Sequence, residues 1–354
     1  MKRVRIGLVG LGWVSTHRHL PALRANPLFD VVGVADRHDG LAATWARKLG
    51  LRHHVQASRI DDIPWLDEVD AIDVVTAPMS HHALIRDALL RGKHVLTEKP
   101  FAMTVAEGEE LVALAARQQR VLAIVHNFQF ASSMQRLLHD LDSGAIGAVR
   151  SIGALQWGNP GRRLPTWYEE LPAGLFFDES PHLLYLLRRL SPAPLQLRHV
   201  EGWPSTMGLR TPAAIDASFQ ADTPHGPIPL TLSCRFEAPL SEWHVSVAGD
   251  RAAGFVDVFR DIYIRLPNDG RHEAPQVLRT SWQATLQHWA RHFVNGPLHL
   301  RGKLLYGNTT VVERFGRAVL DGGAPEGIAA ADALAVLKLQ HEIIARATAP
   351  RSTP

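Results

Sequence analysis

Val4-Arg5-Ile6-Gly7-Leu8-Val9-Gly10-Leu11-Gly12-Trp13-Val14-Ser15 reads as a short apolar strand that runs straight into a glycine-rich turn and then into a segment of helical period. In that context the glycines have distinct uses. Gly10 permits the tight turn, and Gly12 lets backbone N–H groups approach a pyrophosphate at the N-terminus of the following helix, where the helix dipole favours negative charge. Ser15 stands where a third glycine or alanine is usual and is small enough for close packing of helix on strand. Asp36, at the end of the next β-branched run, is placed where a carboxylate can accept both ribose hydroxyls of an adenosine and repel a 2′-phosphate. The alternative for Asp36 is a helix N-cap after strand two, and a plain strand-to-helix turn is the alternative for the glycines.

Outward from this turn the same alternation continues. Strands are expected at Val4 to Val9, Val31 to Ala35, Ala71 to Val75, His94 to Thr97 and Val121 to Val125, with helices at about 16–25, 40–49, 81–91 and 104–118. Ala43, Ala46 and Leu49 of one helix, and Leu111, Leu114 and Ala115 of another, have the spacing of one buried face. This α/β pattern predicts a doubly wound parallel sheet with crossover helices over residues 1–125. After Phe128 the pattern changes to one helix (about 131–142) and then alternating strands at 149–157, 197–203, 213–221, 228–237, 242–248, 253–258 and 262–266. Helices return at about 281–293, 304–320 and 331–346. Residues 126–354 are therefore expected to form an α+β domain on a large, mostly antiparallel open sheet.

Composition sets the outer limits. The chain has 354 residues, 46% hydrophobic and 21% charged, which excludes disorder and a small disulfide scaffold, and the length favours two domains. A net charge of +3, with the basic residues scattered, gives no footprint for nucleic acid. The single cysteine, Cys234, reads as a core residue in an apolar strand and requires no oxidising compartment. Lys2, Arg3 and Arg5 before an apolar stretch resemble a leader only superficially, since Gly10 and Gly12 interrupt the stretch and no small-residue cleavage site follows. No apolar run reaches the length of a membrane span. A cytoplasmic protein without a membrane partner is expected. The 19 histidines include the pairs His17 with His19, His53 with His54 and His81 with His82, none with a ligand set at recognised metal spacing, so no metal is expected.

Glu98-Lys99-Pro100 follows the fourth expected strand, at the carboxyl edge of the sheet, where a lysine can donate to a substrate oxygen; a surface lysine is the alternative. Asp178 and His182 lie four residues apart, so they can share a helical face. Taken together, the glycine turn, Asp36, Pro78 with His82, Glu98-Lys99-Pro100 and Asp178 with His182 resemble the Gfo/Idh/MocA family of oxidoreductases, the family of glucose-fructose oxidoreductase and inositol dehydrogenase. The landmarks Ala88-Leu-Leu-Arg-Gly-Lys-His-Val-Leu-Thr-Glu-Lys-Pro100, Ser143-Gly-Ala-Ile-Gly-Ala-Val149 and Ala331-Asp-Ala-Leu-Ala-Val-Leu-Lys-Leu339 occur in family order along the whole chain. The resemblance implies a Rossmann domain followed by an α+β domain whose open sheet forms a homodimer or homotetramer. It also implies hydride transfer between a nicotinamide cofactor, NAD(H) in preference to NADP(H), and a hydroxyl or keto carbon of a sugar, cyclitol or sugar derivative. His182 is implied as general acid or base, Asp178 as the group that orients it, and Lys99 as the group that stabilises the oxygen. The cofactor set is Gly10, Gly12, Trp13, Val14, Asp36, Arg37, Thr76, Pro78, His82, Glu98 and Lys99. Asn127, Arg162, Arg163 and Trp167 are candidates for substrate contact, the arginines for an anionic group and Trp167 for stacking on a sugar.

The sequence also departs from the family pattern. Ser180-Pro181 replaces the family's Gly-x, Tyr185 stands where Asp is frequent, Gln129 falls near a common Arg, and Met79 follows Pro78 where Asn is common. A regulator of the same fold that senses a cofactor or sugar without turnover is the other function class open at this stage. Retention of Lys99, Asp178 and His182 favours the enzyme.

Overall fold

The computed structural model describes residues 2–348. The described chain divides into two compact units, residues 2–127 with 307–338 and residues 128–306 with 339–348. The first is built on a six-stranded parallel sheet of β1 (Val4–Val9), β2 (Phe29–Asp36), β3 (His53–Gln56), β4 (Ala71–Val74), β5 (His94–Thr97) and β6 (Leu122–Ile124). Its order is β3-β2-β1-β4-β5-β6. Parallel strands need crossovers: α1 (Leu20–Ala25), α2 (Leu41–Leu49), α3 (His81–Leu90) and α4 (Val105–Arg117) supply four of the five, and β3 reaches β4 through two short 3₁₀ turns, Ile60–Asp62 and Leu66–Glu68. The order reverses between β1 and β4, so the carboxyl ends of these two strands, Val9-Gly10 and Val74-Val75, flank the switch point at which open α/β sheets bind ligands. β4 is buried along its whole length, the environment that its apolar run requires. The capping box of α4, in which Thr104 accepts from Glu107 N–H and Glu107 reaches back to the Thr104 N–H, fixes where the chain re-enters a helix after Pro100.

The second unit carries α5 (Ser132–Asp142), α6 (Leu175–Leu190) and a seven-stranded sheet. Its strands are β7 (Val149–Trp157), β8 (Gln196–Trp203), β9 (Ala214–Thr223), β10 (Gly226–Arg235), β11 (Glu242–Gly249), β12 (Ala252–Asp257) and β13 (Ile262–Pro267), in the order β13-β12-β11-β7-β10-β9-β8. Every neighbouring pair is antiparallel except β7 with β10. Cys234 lies in β10 as a fully buried residue. A long α7 (Ala274–Leu300) follows β13, and the chain closes with α8 (Asn308–Asp321) and α9 (Ala330–Ala347).

Three expectations change here. β3 escaped the sequence because His53-His54-Val55-Gln56 holds one apolar residue and sits at the sheet edge, where half-buried polar side chains suffice. α7 runs 27 residues, well beyond 281–293. Residues 307–338 also do not stay with the second domain as the 126–354 boundary expected. Phe315 stacks on Phe29, Gly316 leaves room for the Phe29 ring, and Ile124 N–H donates to Ile328 O at 2.9 Å, which places α8 and the start of α9 in the first unit. Among the described residues no helix is long and apolar enough to cross a membrane.

Ser180-Pro181, a departure from the family pattern, falls inside α6, the helix that carries Asp178 and His182. Proline lacks the N–H that would bond the carbonyl four residues earlier, that of Phe177. The fully buried Gln340 supplies the missing donor, its Nε2 lying 2.7 Å from Phe177 O and 2.8 Å from Ser180 Oγ. Gln340→Ala should therefore leave a buried carbonyl unsatisfied and lower stability by about 1–3 kcal/mol in urea unfolding. Pro181→Ala in the same chain should recover part of that loss by restoring the N–H. A Gln340→Ala variant as stable as the wild type would show that the carbonyl needs no partner.

Candidate active-site residues

In the first unit the glycine turn is built as its sequence requires. Gly10 has a φ of +92°, and a Cβ there would lie 2.4 Å from Val75 O, so only glycine fits. A Cβ on Gly12 would meet nothing within 4 Å, which leaves an open approach to the backbone where a helical run begins at Trp13, continues through the π-helical turn Ser15–His19 and leads into α1. Ser15 is fully buried, as the close helix-to-strand contact demands, and its Oγ has no partner among the described residues. The turn is tied to β2 through Asp36, whose Oδ2 accepts the Leu11 N–H at 2.7 Å. Its Oδ1 is 2.8 Å from both the backbone nitrogen and the Nδ1 of His38, and Asp36 itself is buried. Trp13 and Val14 are exposed at the helix start, with Trp13 stacked on His17 at 4.9 Å and the Arg18 guanidinium 5.1 Å from the indole centroid. Arg37 is exposed and its carbonyl accepts from Gln56.

A buried charge cluster joins three segments around this turn. His19 is enclosed, with Nδ1 2.9 Å from Asp73 Oδ2 on β4 and Nε2 2.9 Å from Glu98 Oε1 just beyond β5. Two carboxylate acceptors on the two ring nitrogens require both to carry hydrogen, so the ring is an imidazolium. Burial opposes that charge, but the attraction of Asp73 and the bonds to Asp73 and Glu98 outweigh it and raise the His19 pKa to about 10. Burial likewise opposes the charge on Glu98, yet the bond and charge of His19, with Lys99 beside it, hold its carboxyl below the usual range. Asp73 is pushed up by burial, with Glu98 adding to the effect and His19 opposing it. The second oxygen of Glu98 accepts the Lys99 N–H at 3.0 Å, so the cluster fixes the backbone from which Lys99 projects. The Lys99-Pro100 peptide is cis.

His81 fixes the other side of that loop. It is fully buried, with Nδ1 2.8 Å from Pro100 O and Nε2 3.1 Å from Thr76 O. Burial pushes its pKa down, with the bonds to the Pro100 and Thr76 carbonyls opposing the shift. His82, the histidine expected to serve the cofactor, instead pairs with Glu110 on α4 at 2.9 Å. Pro78 is buried, Thr76 Oγ1 accepts from Ser80, and Asn127 is buried at the end of the first stretch of this unit.

In the second unit Asp178 and His182 are both buried one turn apart on α6. His182 Nδ1 is 3.0 Å from Tyr185 Oη, and that oxygen accepts the Phe128 N–H at 2.9 Å. Phe128 stands edge-on to the imidazole at 4.8 Å between ring centres, and Trp243 lies at 5.3 Å. The sequence marked Tyr185 only as a departure; it is the direct partner of His182. Arg162, expected to meet substrate, is ion-paired with Glu179 of α6 and lies 3.4 Å from Ser241 Oγ, so it anchors its loop. Arg163 is exposed on the same loop and Trp167 is half-buried. His19 and His81 were missed as well, because only the sheet order brings Asp73, Glu98, Thr76 and Pro100 to them.

Residues 4–126 match the family described as an oxidoreductase family with an NAD-binding Rossmann fold, GFO_IDH_MocA. That stretch is similar to the NAD-binding domain of this family. A dTDP-3,4-didehydro-2,6-dideoxy-alpha-D-glucose 3-reductase of Actinomadura kijaniata is 35% identical over 156 residues, 43% of this chain and 45% of that protein. Galactose 1-dehydrogenase of Pseudomonas fluorescens is 35% identical over 108 residues, 30% of this chain and 32% of that protein. The chain thus spans less than half the length of these two relatives in the matched region. The solved structure of UDP-N-acetylglucosamine 3-dehydrogenase GnnA from Acidithiobacillus ferrooxidans covers 98% of both chains with a TM-score of 0.72 at 19% identity, a likeness of fold.

The His19 cluster sets a pH dependence. A raised pKa means that the stabilisation is fully present below the unfolded value of about 6.5 and is lost as the pH rises through about 10. His19→Gln should lower stability by about 3–5 kcal/mol, because two buried carboxylates lose their cation. The difference between wild type and variant in urea unfolding should shrink from neutral pH towards pH 10. A difference that stays constant over that range would contradict the charge assignment.

Proposed function

We propose that the chain is an NAD(H)-dependent dehydrogenase or ketoreductase that moves a hydride between the cofactor and a hydroxyl or keto carbon of a sugar, cyclitol or sugar derivative. The observation that carries this reading is the Gly10 to Gly12 turn held to β2 by Asp36, with open space above Gly12. The residues present fit the cofactor. Backbone N–H groups at the helix start suit the pyrophosphate, and Asp36 keeps acceptor capacity for the adenosine ribose beside its bonds to Leu11 and His38. A carboxylate there disfavours the 2′-phosphate of NADP(H). The names of the two relatives point to sugar substrates.

When bound, the nicotinamide supplies two-electron chemistry. The protein's task is to hold and move the proton. We assign that transfer to His182, whose ring is set through Nδ1 by Tyr185. In the protonated state Nδ1–H donates to Tyr185 Oη, which also accepts the Phe128 N–H. Asp178, a turn earlier on α6, orients substrate and histidine. Lys99 stabilises the developing oxyanion, its backbone fixed by Glu98. With Arg162 engaged by Glu179, Arg163 is the arginine left to meet an anionic group on the sugar. A homodimer or homotetramer through the seven-stranded sheet, working in the cytoplasm, completes the proposal.

Calorimetric titration should show tighter binding of NAD(H) than NADP(H), with the gap narrowed by Asp36→Ala. Tighter NADP(H) binding by the wild type would contradict the Asp36 argument. Lys99→Ala and His182→Ala should each lower single-turnover rates on a reactive sugar by about 10²–10⁴-fold while cofactor affinity changes little. Near-wild-type rates in both variants would remove the proton-transfer assignment.

A further inference from the structure

α7 is amphipathic in the wrong sense for a helix that packs on a single chain. The residues it turns toward its own unit are polar. Gln287 accepts the Arg265 N–H and donates to Arg265 O, both at 3.0 Å, and so occupies the backbone edge of β13 as another strand would. Asn295, the one buried residue of the helix, donates to Arg260 O at 3.0 Å and Asp261 O at 2.7 Å. Gln276 and Gln283, on the same stripe, each hold a buried Oε1 with no partner among the described residues.

The apolar residues point the other way. Trp282, Leu286, Trp289 and Phe293 are 59%, 62%, 57% and 65% exposed, and Leu278 and Leu300 extend the stripe at either end. These six residues present on the order of 900 Å² of surface, against the few hundred typical of a soluble monomer and the roughly 800 Å² that each partner gives to a standard protein interface. Steps of four, three and four residues from Trp282 to Phe293 make the spacing that of a heptad seam, the pattern by which one helix pairs with another of the same kind. At 27 residues, or about 40 Å, the helix is long enough for such a pairing. It contains no Asp or Glu, and of its two arginines Arg291 is half-buried on its own unit. Two cations over this length offer little to an anionic lipid surface, which favours a protein partner.

We propose that the Trp282 to Phe293 face of α7 is covered by the α7 of a second copy of this chain, forming a helix-to-helix contact separate from the seven-stranded sheet. The proposal does not depend on the catalytic reading. Cys234 is buried and burial pushes its thiol pKa up, so it leaves a silent background for cysteine cross-linking. Single cysteines at positions 282, 286, 289 and 293 of the full chain, under mild oxidation, should give a covalent dimer at one or more positions, whereas Ser281→Cys and His288→Cys, exposed but off the stripe, should not. Phe293→Glu, with unchanged circular dichroism, should lower the mass in sedimentation equilibrium by half. A monomeric wild type, no cross-link on the stripe, or an unchanged mass in Phe293→Glu would overturn the proposal. Binding of the wild type to phosphatidylserine vesicles, lost in Phe293→Glu with no cross-linked dimer, would overturn it in favour of a membrane surface.

Discussion

A buried imidazolium holds the first unit's functional end together. His19 follows the glycine turn, Asp73 belongs to β4 at the switch point, and Glu98 opens the loop that bears Lys99. These segments are far apart in sequence and each must be placed to within a fraction of an ångström if turn and lysine are to serve one cofactor. Hydrophobic packing alone tolerates small shifts, but a ring with a carboxylate on each nitrogen allows few arrangements, because any shift leaves a charge uncompensated in the interior. On the opposite side of the loop His81 lies buried between Thr76 O and Pro100 O.

The second unit uses the same economy of partners. Pro181 would weaken α6, but Gln340 takes up the freed carbonyl, and the helix keeps Asp178 and His182 on adjacent turns. Tyr185 sets the Nδ1 side of the His182 ring and is itself set by the Phe128 backbone. The tyrosine at this departure from the family pattern thus takes a place at the imidazole itself.

Period and punctuation made much of this legible. The first strand, the glycine turn, Asp36 at the end of β2, and the alternation of β9 and β11 all follow from local pattern. What escaped depends on long-range geometry. His19 and His81 look like any other members of a histidine-rich sequence until the strand order brings their acceptors near. His82 matched a motif yet pairs with Glu110, because its helix turns it toward α4. β3 was too polar to announce itself, and α8 returned to the first unit through Phe29 and Phe315, a contact no local pattern encodes.

The protonation state of His19 is the most direct test of this account. Nitrogen-15 spectra of the histidine-labelled protein at a pH of about 8, above the ordinary imidazole pKa of about 6.5, should contain one ring with both nitrogens protonated that is absent from His19→Gln. A neutral tautomer at that ring would contradict the ionic tie between turn, β4 and the Lys99 loop.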